Sequence, residues 1–181
     1  RGGPGGVTRP TARPPDLAAA FADHQRRLLG LILRITGDFA LAEDALQETF
    51  LAAHAAAGAF RGEAAPGTWL YRIATREALR ARAKRNRHAA RDRAAADGAP
   101  KRPEADPSAP TGWLEQTRGL LAALDRLPED QRLAFVLLSA RAIPADEVAA
   151  MLGVPISTVY TRAFRARVRL REILAADGEG A

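Results

Sequence analysis

Residues 91–112 read Arg-Asp-Arg-Ala-Ala-Ala-Asp-Gly-Ala-Pro-Lys-Arg-Pro-Glu-Ala-Asp-Pro-Ser-Ala-Pro-Thr-Gly, with four prolines and no recurring apolar position. Proline withholds the amide hydrogen that a helix interior or an inner strand requires. A stretch built this way is a linker. It parts the 181-residue chain into two pieces, each the size of a small domain. On both sides of it apolar residues recur at intervals of three and four, the helical period. Apolar residues are 47% of the chain and many are alanine, which suits close helix packing rather than a sheet. The predicted fold is therefore all-α. Two small helical domains, 16–90 and 113–176, are joined by a flexible linker at 91–112. A disordered Gly- and Pro-rich tail is expected at 1–15 and a short tail at 177–181.

Composition narrows the function. The formal charge of +6 suits a polyanionic partner such as nucleic acid. There is no cysteine, which excludes disulfides, thiolate metal sites and cysteine nucleophiles. Three scattered histidines, no Gly-rich phosphate loop and no metal-ligand spacing give no catalytic residue, metal site or cofactor to name. No run approaches the roughly 18 apolar residues of a membrane helix, and no secretory signal is visible. The expected location is the cytoplasm, without membrane insertion.

In the first domain, Asp16 is the predicted N-cap of a helix whose apolar positions are Leu17, Phe21, Leu28, Ile32 and Ile35, with Gly37 as its stop. Asp38 caps a second helix. Its expected inner face is Ala42, Ala45, Leu46, Thr49, Phe50 and Ala53. Asp44, Gln47, Leu51 and His54 share another face, with Glu48 beside them. A face mixing a leucine with acids and an amide suits docking better than plain solvation. Gly58, Gly62, Pro66 and Gly67 mark a loop, and Thr68 is the predicted cap of a third helix. There Arg72, Arg76, Arg80, Lys84 and Arg87 advance by three or four along one side, and Arg82 and Arg85 widen the stripe. Such a run repels itself unless it meets counter-charge, so it reads as a phosphate-contacting surface. Trp69 and Tyr71 lie at the N-terminal end of this helix and are divided evenly between core packing and base stacking.

The second domain holds a leucine-rich helix with Leu114, Leu120, Leu121 and Leu124, a break at Leu127-Pro128, and a core segment over Leu133–Leu138. Ala149, Gly153 and Val159 then follow at helix-turn-helix spacing. The small residue permits close helix approach, the glycine turns the chain, and the β-branched residue packs the second helix on the first. The final helix has an apolar stripe at Val159, Ala163, Ala166, Leu170 and Ile173. Ser157, Thr158, Tyr160, Thr161, Arg162 and Arg165 gather near its N-terminal end, where a recognition helix meets base edges and phosphates.

These residues together resemble the extracytoplasmic-function (group 4) RNA polymerase sigma factors of the sigma-70 family. Ala42-Glu43-Asp44 through Gln47-Glu48-Thr49-Phe50 is similar to the family's polymerase-binding segment, region 2.2. Trp69-Leu70-Tyr71-Arg72-Ile73-Ala74 is similar to the melting and −10 segment. Leu124 to Leu174 resembles region 4. The resemblance implies that Asp44, Gln47, Glu48 and Leu51 bind core RNA polymerase at the clamp helices of its β′ subunit, with the β subunit also in contact. It implies that Arg61, Gly62 and Glu63 pocket a flipped −10 base, and that Trp69, Tyr71 and Arg72 engage the opened strand, to which Arg76 and Arg80 of the basic stripe add phosphate contacts. It also implies that Ser157, Thr158, Tyr160, Thr161, Arg162 and Arg165 read the −35 element. An anti-sigma factor is an implied partner, able to hold the protein at the membrane. The chain departs from the family pattern after Arg72-Ile73-Ala74, where asparagine is common and this chain has Thr75-Arg76-Glu77, with Arg76 the departing residue, at Pro144 in the turn before Glu147-Val148-Ala149, and at Tyr160, where lysine is common.

Taken as residues alone, the same features admit a stand-alone helix-turn-helix regulator with a helical partner-binding domain, or a helical adaptor that binds only protein. Salt dependence separates the adaptor from the DNA-binding readings. Each phosphate contact contributes a slope of about −0.9 to log affinity against log salt. Fluorescence anisotropy with duplex DNA from low to physiological salt is expected to show a steep fall; a flat response selects the adaptor.

Overall fold

The computed structural model describes residues 17–62, 64–95 and 111–178. The proposed Asp16 cap, the 1–15 tail and Glu63 lie outside the described residues. Seven helices are present among those described. The first domain is α1 (Leu17–Thr36), α2 (Phe39–Ala56), a 3-10 turn (Ala57–Ala59) and α3 (Pro66–Ala95). The second is α4 (Thr111–Asp125), α5 (Glu129–Ala140), α6 (Ala145–Leu152) and α7 (Ile156–Gly178). No strand occurs among the described residues.

Leu28, Leu31, Ile32 and Ile35 of α1 form the centre of the first domain. They pack on Ala42, Ala45, Leu46 and Ala53 of α2 and on Leu70, Ala74 and Ala78 of α3. The alanines bring helix backbones close, and the leucines and isoleucines of α1 fill the space between. In the second domain Leu124, Leu137 and Val148 pack with Val159, Ala163, Ala166, Leu170 and Ile173 of α7. The α7 stripe read from the sequence is buried in full.

The α1–α2 junction is built from three consecutive residues. Gly37 takes a left-handed φ of 71°, and its N–H donates to the Leu33 carbonyl at 2.7 Å. Asp38 is extended (φ −143°, ψ 128°) and accepts the Leu41 N–H on its side chain at 2.9 Å. The Thr36 hydroxyl is fully buried and donates to the Asp38 carbonyl. Glycine ends one helix and an acid starts the next, each by the local rule for that position.

Several sequence expectations are corrected. Pro66, not Thr68, begins α3; proline fits the first helical turn because the amide there needs no partner. Phe50 is 38% exposed instead of sitting on the inner face of α2. It meets Phe21 of α1 edge-on at 5.0 Å, so it covers the flank of the α1–α2 seam. Leu120 is likewise exposed. Helix α3 continues to Ala95 and α4 begins at Thr111, so both enter the 91–112 stretch, and α7 runs on to Gly178.

Arg82 is the largest departure. It was read as widening a solvent-facing basic stripe, yet it is only 7% exposed. Its Nη1 donates to the Ile35 carbonyl at 2.7 Å, and its Nε donates to Glu129 Oε1 at 2.7 Å. Glu129 opens α5 in the second domain, so this guanidinium joins the two domains. The Glu129 carboxyl is held below the usual carboxylate range, first by the Arg82 hydrogen bond and then by the charges of Arg82 and Arg85; burial opposes the shift. Nearby, Arg132 pairs with Asp125, and this pair faces Gly37.

A Cβ at Gly37 would stand 3.1 Å from Asp125 Oδ1 and would hold an L-residue at positive φ. Gly37→Ala is expected to destabilise the protein by about 1–2 kcal/mol, read as a lower midpoint in urea denaturation. An unchanged midpoint would mean that this junction relaxes freely.

Candidate functional site

The face of α2 that the sequence marks for docking is open. Asp44, Gln47 and Glu48 are exposed, and Leu51 is 58% exposed. Phe50 lies beside them as a second apolar group, missed in the sequence because it falls within the helix's inner stripe. The acidic face and the basic stripe are not remote from one another. A groove of about 710 Å³ has Asp44, Gln47 and Glu48 on one wall and Arg80, Lys84, Arg85 and Arg87 on the other. Arg85 Nη1 reaches to 4.0 Å from Asp38 Oδ2.

The loop before α3 presents Arg61 and Gly62 to solvent, with Gly62 at φ 70°. Trp69 is half-buried and packs edge-on against Phe60 of that loop, centroids 5.3 Å apart. Tyr71 pairs instead with His24 of α1 at 6.1 Å. Two residues apart on a helix they project about 200° apart, so they do not form one stacking platform. Tyr71 borders a cleft of about 510 Å³ with Arg26, Arg27 and Arg34 of α1 and with Leu120, Ser139 and Ala140 of the second domain. These α1 arginines were missed by sequence reasoning, although three cations on one helix were there to notice. Burial lowers the pKa of Arg34.

The members of the basic stripe have different partners. Arg80 is exposed and pairs along its own helix with Glu77 at 2.6 Å. Arg72 Nε lies 2.8 Å from Glu147 Oε2 of α6, an ion pair without the aligned N–H of a hydrogen bond. Arg76 Nη2 is 3.9 Å from the other oxygen of Glu147. Lys84 and Arg87 are exposed and face the groove.

In the second domain α6 ends at Gly153 (φ 65°, ψ 33°), whose N–H points back at the helix. The Val154 N–H donates to the Ala149 carbonyl at 3.1 Å, closing the turn of a helix-turn-helix. Val159 is fully buried and Ala149 nearly so, as the spacing predicts. Pro144 stands at the N-cap of α6 without a side-chain cap; its carbonyl accepts the Val148 N–H at 3.0 Å. Ser157, Thr158, Thr161, Arg162 and Arg165 come together around a shallow hollow of about 360 Å³. Thr161 donates to the Ser157 carbonyl, and Arg162 Nε lies 3.0 Å from Asp130 Oδ2. Tyr160 is outside this hollow. It begins an exposed stripe with Phe164 (65%) and Val168 (39%).

Two family models match: Sigma-70 region 2 over residues 20–88 and Sigma-70 region 4 over residues 117–170. The RNA polymerase sigma-H factor of Pseudomonas aeruginosa is 33% identical over 169 residues, covering 83% of this chain and 82% of that protein. The ECF RNA polymerase sigma factor SigM of Mycobacterium tuberculosis is 35% identical over 167 residues, covering 85% and 74%. This chain belongs to the ECF RNA polymerase sigma factors. Its fold is similar to that of the sigma factor RpoE crystallised with the anti-sigma factor NepR from Bartonella quintana (25% identity, TM-score 0.66, covering 90% of this chain and 98% of that one). It is also similar in fold to CnrH in complex with the cytosolic domain of CnrY (23% identity, TM-score 0.59, covering 89% and 88%).

As a sigma factor the chain binds core RNA polymerase and directs promoter recognition and initiation; such proteins are regulatory initiation factors. Among the described residues no helix is long and apolar enough to cross a membrane. Thr75 is fully buried in this sigma factor. Its hydroxyl has no hydrogen-bond partner, so here the position belongs to the core. Thr75→Val keeps the shape and removes an unsatisfied polar group, which costs about 1–3 kcal/mol when buried. The variant is expected to melt at or above the parent temperature; a lower melting temperature would show that the hydroxyl is satisfied in solution.

Proposed function

We propose a division of labour among named residues. Asp44, Gln47, Glu48 and Leu51 dock the first domain on the β′ clamp helices of core polymerase. The loop residues Arg61, Gly62 and Glu63 receive a base unstacked from the −10 element. Trp69 and Tyr71 pack against the opened strand from opposite sides of α3, and Arg72, Arg76 and Arg80 hold its phosphates. Ser157, Thr158, Tyr160, Thr161, Arg162 and Arg165 read the −35 duplex from the start of α7, in the major groove.

One observation carries this reading. The acids, amide and leucine of α2 are exposed on one domain, while a helix-turn-helix offers hydroxyls and arginines on the other. A stand-alone regulator needs only the second of these surfaces. Unstacking a base costs a few kcal/mol, which the aromatic and phosphate contacts offset. The protein acts in the cytoplasm, held in check by an anti-sigma factor as RpoE and CnrH are bound by theirs.

Replacing Gln47 and Glu48 together with alanine is expected to weaken binding to core polymerase at least tenfold, about 1.4 kcal/mol, and to spare affinity for −35 duplex. Run-off transcription from fragmented genomic DNA with core polymerase should lose its protein-dependent start sites in step. Unchanged core binding would remove this face from the docking site. Replacing Arg165 with alanine should weaken duplex binding and reduce the salt slope by about one; unchanged affinity and slope would take it off the −35 surface.

A further inference from the structure

Two arginines near the start of α7 are held differently. Arg165 is exposed and has no ion pair among the described residues. Arg162 brings its Nε to 3.0 Å from Asp130 Oδ2 of α5. The other oxygen of that carboxylate, Oδ1, accepts the Gln131 N–H at 2.9 Å, so the acid is itself pinned to the backbone. Asp130 lies in the first turn of α5, where the helix dipole favours an anion. That explains a charge at this place but not the turning of one oxygen towards α7. Asp130, Arg162 and Arg165 line one hollow with Ser157, Thr158 and Thr161, the face assigned above to DNA.

A guanidinium has two edges suited to paired hydrogen bonds, one through Nε and an Nη, the other through both Nη groups. A carboxylate at Nε takes up the first edge and leaves the end-on edge open. That edge matches O6 and N7 of guanine in the major groove. The same carboxylate cancels much of the net charge that would draw Arg162 to a phosphate, without removing an N–H donor. It also holds the side chain in one geometry, which lowers the entropy cost of binding. We propose that Asp130 is a positioning residue for −35 recognition: it fixes Arg162 on a guanine base edge, while the unpaired Arg165 takes a phosphate. Preference at one base pair is then set by a residue outside the recognition helix. This rests on the reading of α7 as the −35 helix with Arg162 in the groove.

The full chain and its variants are each used to select from a pool of DNA duplexes with a randomised central segment, and the bound fraction is sequenced. The parent should enrich guanine at a position where Arg162→Ala does not. Asp130→Ala should lower the guanine preference at that same position about five- to tenfold and leave the other positions as they are. Asp130→Asn, which keeps the shape at the start of α5, should lose part of it. Asp130→Ala/Arg162→Ala should select as Arg162→Ala does, because the acid acts through the arginine. On the selected duplex, Arg162→Ala should keep the parent's salt slope, whereas Arg165→Ala lowers it by about one. A lower slope in Arg162→Ala would make Arg162 a phosphate contact and overturn the assignment. Weaker binding of all sequences alike in Asp130→Ala, with a lower melting temperature, would make Asp130 a brace between α5 and α7 and overturn it too. So would a preference lost at a cytosine that Arg162→Ala retains, since Asp130 would then read that base itself. If parent and Arg162→Ala select alike, the −35 reading of Arg162 fails and the proposal with it. If Arg162→Ala loses the guanine and both Asp130 variants keep it, that reading stands and the positioning role alone falls.

Discussion

A buried guanidinium needs a counter-charge and a full set of acceptors, or its desolvation is uncompensated. Arg82 meets that demand with two groups that belong to different parts of the chain. The Ile35 carbonyl is one of the last in α1, where helix carbonyls lack an internal partner and attract cations. The Glu129 carboxylate stands at the start of α5, where amides point outward and favour an anion. One side chain of α3 thus joins the end of one helix to the beginning of another across the domain boundary. Much else in the seam follows from it. Gly37 must be a glycine where α1 turns beneath Arg132 and Asp125, and Glu147 is brought within reach of Arg72.

The seam between the domains carries ion pairs that their interiors lack. Inside each domain, alanine faces and branched aliphatic residues interlock and gain stability from removing apolar surface from water. Between them, the hydrogen bonds and ion pairs are Arg82 and Asn86 with Glu129, and Arg72 and Arg76 with Glu147. Polar interfaces of this kind part more readily than apolar ones. That contrast fits a protein whose two halves bind to sites some distance apart on a promoter.

Much of the architecture was legible from periodicity and local chemistry. The buried stripe of α7, the Asp38 cap, the Gly37 stop and the Ala149–Gly153–Val159 turn each depend on neighbours within a turn or two. They emerged as read. What failed was anything decided by a residue far away in sequence. Phe50 lies on the inner stripe of α2 by spacing, but Phe21 of α1 draws it to the edge. Arg82 lies within a basic run and gives no local sign that Glu129, 47 residues on, will bury it. The basic stripe read as one surface divides by partner: Arg72 and Arg76 to Glu147, Arg80 to Glu77, Arg82 to the seam, Lys84 and Arg87 to the groove. Spacing tells which residues share a face; it does not tell what lies opposite.

The partial exposure of the Arg72–Glu147 pair (31% and 21%) has a thermodynamic consequence for counting phosphates. Added salt screens this pair, and the same salt weakens the arginines' hold on DNA. The two effects oppose each other in the apparent affinity of the free chain. A plot of log affinity against log salt should therefore be shallow at low salt and steepen as the seam loosens. The low-salt slope would then undercount the phosphates neutralised.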